Sequence, residues 1–200
     1  MDIQPWAVGV SRSEGRGASE AALLRAAQAG DPAALDQLLS PHTRGLLLFC
    51  RGILGHAEDA EDAAQETLFR ALRALPRFQQ RQASFRTWLF RIALNLCLDW
   101  KRDHRPTEPW DEEALVPGGG APASPETIAL RRLQIVEALG ALPPERRAIL
   151  LLKELEGWSA AEIGEAMRWN PKRVYNELYQ ARCTLIAWQA QVDDEEGTEP

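Results

Sequence analysis

Between residues 106 and 126 the chain reads PTEPWDEEALVPGGGAPASPE, with five prolines, three consecutive glycines and a cluster of acids. Proline removes a backbone donor and fixes φ, and glycine loses the most freedom on ordering, so no regular element propagates through such a stretch. Helical patterning stops at Arg105 and resumes at Thr127 with TIALRRLQIVEALGAL. The fold class expected is all-α: two small helical domains joined by a flexible, acidic, Pro/Gly-rich linker. The boundaries follow as a disordered tail at 1–18, a first domain at 19–105, the linker at 106–126, a second domain at 127–190 and an acidic tail at 191–200.

Within the first domain the punctuation is regular. SEAALLRAAQAG ends at Gly30, and Asp31 and Pro32 supply the cap and first turn of a helix through ALDQLLS. Pro41 then opens a further helix, HTRGLLLFCRGILG, closed by Gly55. AEDAEDAAQETLFRALRAL is an amphipathic helix with Ala63, Leu68, Leu72 and Leu75 as its recurring apolar positions, stopped by Pro76.

The segment SFRTWLFRIALNLCLDWKRDHR, 84–105, has too many apolar residues for one buried face. At about 100° per residue, Phe85, Trp88, Leu89, Ile92, Leu96 and Trp100 gather on one side. Phe90, Leu94 and Leu98 gather opposite, among Arg86, Arg91, Lys101 and Arg102. One side holds the helix to its core. The other suits either nucleic acid, with arginines on the backbone and aromatics against unpaired bases, or a second protein partner with the arginines reaching to solvent. The preceding loop, with Arg77, Gln79, Gln80, Arg81 and Gln82, offers donors and acceptors to an unstacked base.

In the second domain, Ser159 and Glu162 form a capping-box pair, and Ala161, Ile163, Ala166 and Met167 an inward face. A tight turn at Trp169 and Asn170 leads to a second helix from Pro171, with Val174, Leu178 and Ala181 inward. Short helix, tight turn and second helix make a helix-turn-helix layout. Lys172 and Arg173 suit phosphates or guanine edges, and Asn176 suits adenine.

A net charge of −6 argues against nucleic acid only until its distribution is considered: Arg77 to Arg105 holds seven Arg or Lys against two Asp. Cys50, Cys97 and Cys183 are odd in number and lack a C-x-x-C pair, as reduced thiols in a cytoplasmic protein would be. No secretory signal and no apolar run of about 20 residues is present, so neither export nor membrane insertion is expected. Glu58, Asp59, Glu61, Asp62 and Glu66 with His56 could be read as a metal cluster. First-turn carboxylates at the positive end of a helix are the simpler account, and no metal site or cofactor is expected.

Together these stretches resemble the extracytoplasmic-function (ECF) group of bacterial RNA polymerase sigma factors. DAEDAAQETLFRALRALPRF is similar to the family's polymerase-clamp helix, SFRTWLFRIALNLCLDWKR to its promoter-melting helix, and LPPERRAILLLKELEGWSAAEIGEAM with RVYNELYQAR to its C-terminal DNA reader. Phe85, Thr87, Trp88, Leu89, Arg91, Ile92, Ala93 and Asn95 stand where the family pattern has them. The resemblance implies a non-catalytic initiation factor with core RNA polymerase, promoter DNA and an anti-sigma factor as partners.

It implies polymerase binding by Asp59, Asp62, Gln65 and Glu66. Recognition and melting of the −10 element would fall to Arg77, Arg81, Ser84, Arg86, Trp88, Arg91, Asn95, Lys101, Arg102 and Arg105. Reading of −35 would fall to Lys172, Arg173, Tyr175, Asn176, Glu177, Gln180 and Arg182. The linker acids Glu108, Asp111, Glu112 and Glu113 would pass through polymerase toward the RNA path.

Two departures stand out: the loop QQRQAS is one residue longer than the common pattern and lacks its glycine, and Tyr175, Asn176, Glu177 and Gln180 stand where several relatives carry Arg or Ser. A dimeric two-domain regulator with an N-terminal sensing module, and a helical enzyme built on the acidic cluster, are the other readings. Neither a dimer heptad nor a ligand-pocket signature is visible for the regulator.

Overall fold

The computed structural model describes residues 17–80, 83–103 and 134–196, with side chains for those from 20 to 192. The expected linker, Arg81, Gln82, Arg105, the greater part of the N-terminal tail and residues 197–200 lie outside the described residues. The order is α1 (Gly17–Gln28), α2 (Pro32–Leu54), α3 (Ala57–Ala74), a 3-10 turn (Leu75–Arg77) and α4 (Phe85–Asp103). Then come α5 (134–140), α6 (Pro144–Glu154), α7 (Ala160–Met167) and α8 (Pro171–Glu196). Among the described residues there is no strand.

Local chemistry sets most of the boundaries. The Asp31 carboxylate accepts from the N–H groups of Ala33 (2.9 Å) and Ala34 (3.3 Å), and Gly55, at φ +83°, closes α2 in the left-handed conformation. The break expected at Pro41 does not occur: α2 is a single helix of 23 residues. Pro41 is exposed, so its ring and missing donor meet solvent, while Leu38 and Leu46 on either side are buried. Burial of the stripe on both sides of Pro41 offsets the cost of about 3 kcal/mol that proline imposes in a helix interior. The Ser84 hydroxyl accepts from the Thr87 N–H (3.1 Å) and starts α4. At the other end, α8 continues to Glu196, so the backbone of the first tail acids is helical.

Two apolar clusters form the interior. One gathers Leu24, Ala27, Leu38, Ala71, Phe85 and Leu89 from the first four helices, with Leu75 of the 3-10 turn. The other spans both domains: Phe49, Ile53, Phe90 and Leu94 pack in the same cluster as Val136, Leu142, Ile149, Leu152 and Trp158. Close approach of α2 to α6 depends on Gly52, where an added Cβ would lie 2.6 Å from Leu151 Cδ1. Arg147, only 4% exposed, crosses the same seam. Its guanidinium donates to the carbonyls of Leu139 (2.7 Å), Gly140 (3.3 Å) and Leu142 (2.8 Å) around the end of α5, and to Ile53 (2.7 Å) of α2. Burial pushes its pKa down to about 10, and the four carbonyls keep the charged form in place.

Candidate nucleic-acid interface

The two sides of α4 have different neighbours. Phe85 and Leu89 belong to the first cluster, where half-buried Trp88 lies tilted against both Phe78 (4.7 Å) and Phe85 (5.6 Å) in a three-ring group. The second side meets protein as well. Phe90 packs edge-on against Phe49 (5.5 Å) and Trp158 (6.5 Å), and Leu94 is fully buried. Stacking of Phe90 on unpaired bases is therefore not available in this arrangement. Its flanking arginines are also engaged: Arg86 with Glu156, and Arg91 with Glu165 at 2.7 Å. Arg102 lies exposed beside Asp99 (3.0 Å) and Asp103. Lys101 is half-buried; desolvation pushes its ammonium pKa down, the nearby Arg147 charge adds to this, and Asp59 opposes it.

Arg77 and Ser84 are exposed at the two ends of the loop before α4. Gln28 fixes the start of that loop, donating from Nε2 to the carbonyls of Leu75 (3.0 Å) and Phe78 (2.9 Å). Asn95 is exposed and lines a groove of about 850 Å³ together with Asp99, Arg146, Trp169, Arg173 and Glu177. Residues expected at opposite ends of a promoter thus face one cavity.

The helix-turn-helix is built largely as its sequence suggests. Ser159 Oγ accepts from the Glu162 N–H (3.2 Å), and the Glu162 carboxylate accepts from the Ser159 N–H (2.8 Å), a reciprocal capping box. The inward face of α7 is Ala160, Ile163, Gly164 and Ala166; Ala161 is exposed, one position out of phase with the expected stripe. Arg168 takes the left-handed position (φ 56°) in place of a glycine. Gly164 is required instead, because a Cβ there would lie 2.6 Å from the Trp169 carbonyl oxygen. Asn170 Oδ1 then caps α8 by accepting from the Arg173 N–H (2.8 Å), and Val174, Leu178 and Ala181 are buried as expected.

On the outer face of α8, Lys172, Arg173, Tyr175, Asn176 and Gln180 are exposed. The Arg173 guanidinium lies over the Trp169 ring, 4.1 Å from its centroid. Glu177 pairs with Arg146 (2.8 Å) and Arg182 with Glu154 (2.9 Å), so these two of the expected base readers are held by neighbouring helices.

The acidic face of α3 presents Asp62 and Gln65 exposed, with Asp59 and Glu66 half-buried and Glu66 paired to Arg70 at 2.7 Å. Beside it Phe69 is 55% exposed and Leu72 40% exposed, although Leu72 was expected to face inward. The buried stripe of α3 runs through Ala60, Ala63, Ala64, Thr67 and Ala71, and both large residues fall off it. A groove joins Asp62, Gln65 and Phe69 to Leu96 and Trp100 of α4. Sequence reading missed these apolar members. A large aromatic residue outside the apolar stripe was the signal that could have found Phe69. Among the described residues no group of His, Cys, Asp or Glu could hold a metal ion, and no helix is long and apolar enough to cross a membrane. Cys50 and Cys97 are buried together; a hydrogen bond to Cys50 and then burial push the Cys97 thiol well above its usual range.

A helical domain with a cationic central helix, packed on a capped helix-turn-helix, defines a two-part helical DNA-binding protein. Residues 38–107 match Sigma-70 region 2, and residues 132–185 match Sigma-70, region 4. The chain is 35% identical over 170 residues to the ECF RNA polymerase sigma factor SigM of Mycobacterium tuberculosis, with 84% of this chain and 83% of SigM covered. It is 36% identical over 170 residues to SigG of the same species, covering 72% of this chain but only 46% of the length of SigG. The chain belongs to the ECF group of RNA polymerase sigma factors, a class of promoter-specific initiation factors.

Among solved structures it resembles CnrH, determined in complex with the cytosolic domain of CnrY. There the TM-score is 0.67 at 25% identity, over 86% of this chain and 98% of that one. The sigma factor RpoE of Bartonella quintana, in complex with the anti-sigma factor NepR, shares the fold with a TM-score of 0.61 at 20% identity, over 74% and 92% of the two chains.

Proposed function

We propose that this chain binds core RNA polymerase and directs it to promoters, with no catalysis of its own. The observation that carries this reading is the presence, on one chain, of the region 2 match over α4 and the region 4 match over a capped helix-turn-helix with an exposed basic start. In this reading, domain 2 comprises 19–105 and domain 4 comprises 127–190. Asp59, Asp62, Gln65 and Glu66 dock on a basic polymerase surface, with Phe69 supplying apolar area in the same groove.

The Arg77–Ser84 loop and Asn95 take an unstacked base of the −10 element, with Trp88 near the melted junction. Arg86, Arg91, Lys101 and Arg102 hold phosphates there. Lys172, Arg173, Tyr175, Asn176 and Gln180 meet the −35 major groove, where Glu177 and Arg182 join only if released from Arg146 and Glu154. Two weak DNA readers on one chain gain specificity when polymerase fixes their separation. Because CnrH and RpoE were each solved with a partner, and NepR is an anti-sigma factor, an anti-sigma factor is the third partner proposed.

The test is selection of promoters from a random library by core polymerase reconstituted with this chain. Enrichment of two elements at a fixed spacing supports the reading; failure to bind core enzyme at moderate salt ends it.

A further inference from the structure

Helix α8 carries two apolar stripes, and only one of them has a neighbour. At about 100° per residue, Val174, Leu178, Ala181 and Leu185 lie together and pack into the second cluster. Tyr175, Tyr179 and Ile186 fall within an arc of about 40° on another side, and they are 64%, 66% and 59% exposed. Among the described residues no other element exposes three large hydrophobic side chains on one face. Lys172 and Ala190, both exposed, extend that face toward the two ends of the helix.

DNA reading accounts for only one end of the stripe. A recognition helix meets base edges with its N-terminal residues, and Ile186 stands about 16 Å further along the axis than Tyr175. Because α8 runs on to Glu196, the apolar face continues past the part that can enter a groove. A contiguous exposed apolar face marks a protein contact.

The charges of α8 select a second copy as the occupant. The helix begins with Lys172 and Arg173 and ends in the sequence Asp193, Asp194, Glu195 and Glu196. This order opposes its own dipole, which favours acids at the start and cations at the end. An antiparallel second copy brings the acidic end of each helix to the basic end of the other and corrects both at once. In that register Tyr179 falls opposite Ile186, Tyr175 opposite Ala190 and Lys172 opposite Asp193. Arg182 lies near the centre but is already paired with Glu154 of α6 at 2.9 Å, so the symmetry axis does not bring two bare cations together.

We propose that the Tyr175–Tyr179–Ile186 stripe is a self-association surface, on which two copies of the chain pair their α8 helices antiparallel about a twofold axis. The pairing covers Lys172 and Tyr175, so the dimer and −35 DNA exclude each other; this consequence, unlike the pairing, rests on the function proposed above.

The test is sedimentation of the full chain over a wide concentration range, at low and high salt, with helicity checked by circular dichroism. The wild type should pass from monomer to dimer as its concentration rises, less readily when salt screens the helix ends. Ile186→Glu alters an exposed residue and should keep its helicity. By symmetry it enters the interface twice, and it should weaken dimerisation by about tenfold or more. Reconstituted with core enzyme at low concentration, it should initiate as the wild type does. Lys172→Glu should weaken dimerisation several-fold, and adding Asp193→Lys should restore it. These two positions are too far apart on one helix to pair within a chain, so restoration reports the antiparallel contact.

A wild type that stays monomeric at every concentration overturns the proposal, as does a dimer indifferent to Ile186→Glu. Loss of core-enzyme binding in Ile186→Glu would give the stripe to polymerase instead. Failure of Asp193→Lys to rescue Lys172→Glu overturns the antiparallel register. If no form binds core enzyme, the proposed function fails while sedimentation still decides the pairing.

Discussion

The two helices assigned to DNA, α4 and α8, are both amphipathic and both carry cations, yet they differ in what covers them. On α8 the buried stripe Val174, Leu178 and Ala181 fills one side, and the other side is open, with Lys172, Tyr175 and Asn176 exposed. On α4 no side is wholly open: Phe90 and Leu94 are as buried as Phe85 and Leu89 opposite, and Arg86 and Arg91 are paired across the domain seam. The difference teaches that an excess of apolar residues on a helix reports how many surfaces it meets, not which ones. In this arrangement the outer face of α8 is open to solvent, with Arg173 and Glu177 at the groove shared with α4, whereas the second side of α4 is covered by protein.

The sharpest break in that comparison comes from truncating one aromatic on the second side of α4. Phe90→Ala removes a ring packed between Phe49 and Trp158, with no exposed surface to collapse into. Urea unfolding should show a loss of about 3–5 kcal/mol, whereas the exposed Tyr175→Ala should change stability by less than about 0.5 kcal/mol. Should Phe90→Ala leave stability intact and impair only promoter melting, the second side of α4 faces nucleic acid in solution, and the comparison collapses.

A smaller effect tests whether α8 is free to read sequence. Arg173→Ala should weaken −35-dependent initiation by about 1–3 kcal/mol if the guanidinium contacts a base edge, with the loss concentrated at one position of the element. An equal loss on every −35 sequence would mark a phosphate contact instead. Because Arg173 also lies over Trp169, its removal forfeits a surface cation–π contact worth about 0.5–1 kcal/mol. Chemical unfolding of the free protein separates that part from the promoter effect.

Much of this organisation is visible in local sequence. Caps at Asp31 and Ser159, the stop at Gly55 and the inward stripe of α8 all act within a few residues, and short-range chemistry is what sequence patterns encode. What is not visible is long-range. Pro41 is a local breaker overruled by the core on both sides of it, and Leu72 follows the apolar rhythm of α3 yet finds no neighbour to cover it. The pairing of Arg86 with Glu156 joins residues 70 apart, and nothing in either neighbourhood announces the other. Likewise the bond from Arg147 to the Ile53 carbonyl joins residues 94 apart, beyond the reach of any local pattern. Among the expected contact residues, exposure of Lys172 and Asn176 follows from helix phase, while capture of Glu177 by Arg146 does not.

The smallest effect asks whether the open helix is positioned by its own domain or by the seam. Ser159 starts α7 through a reciprocal bond with Glu162, and α7 in turn sets the Trp169–Asn170 turn from which α8 emerges. Ser159→Ala leaves the Glu162 N–H without its side-chain acceptor and should cost about 1 kcal/mol. Ser159 itself is exposed and its side-chain hydrogen bonds are to Glu162 of its own helix, so the loss should be the same in the wild type and in the Glu165→Arg background. Additive losses measured by urea unfolding would mean that the helix-turn-helix holds its geometry independently of the seam. A loss that shrinks by half or more in that background would mean that α7 is ordered chiefly by packing against α4, and that the DNA reader on α8 depends on the seam for its shape.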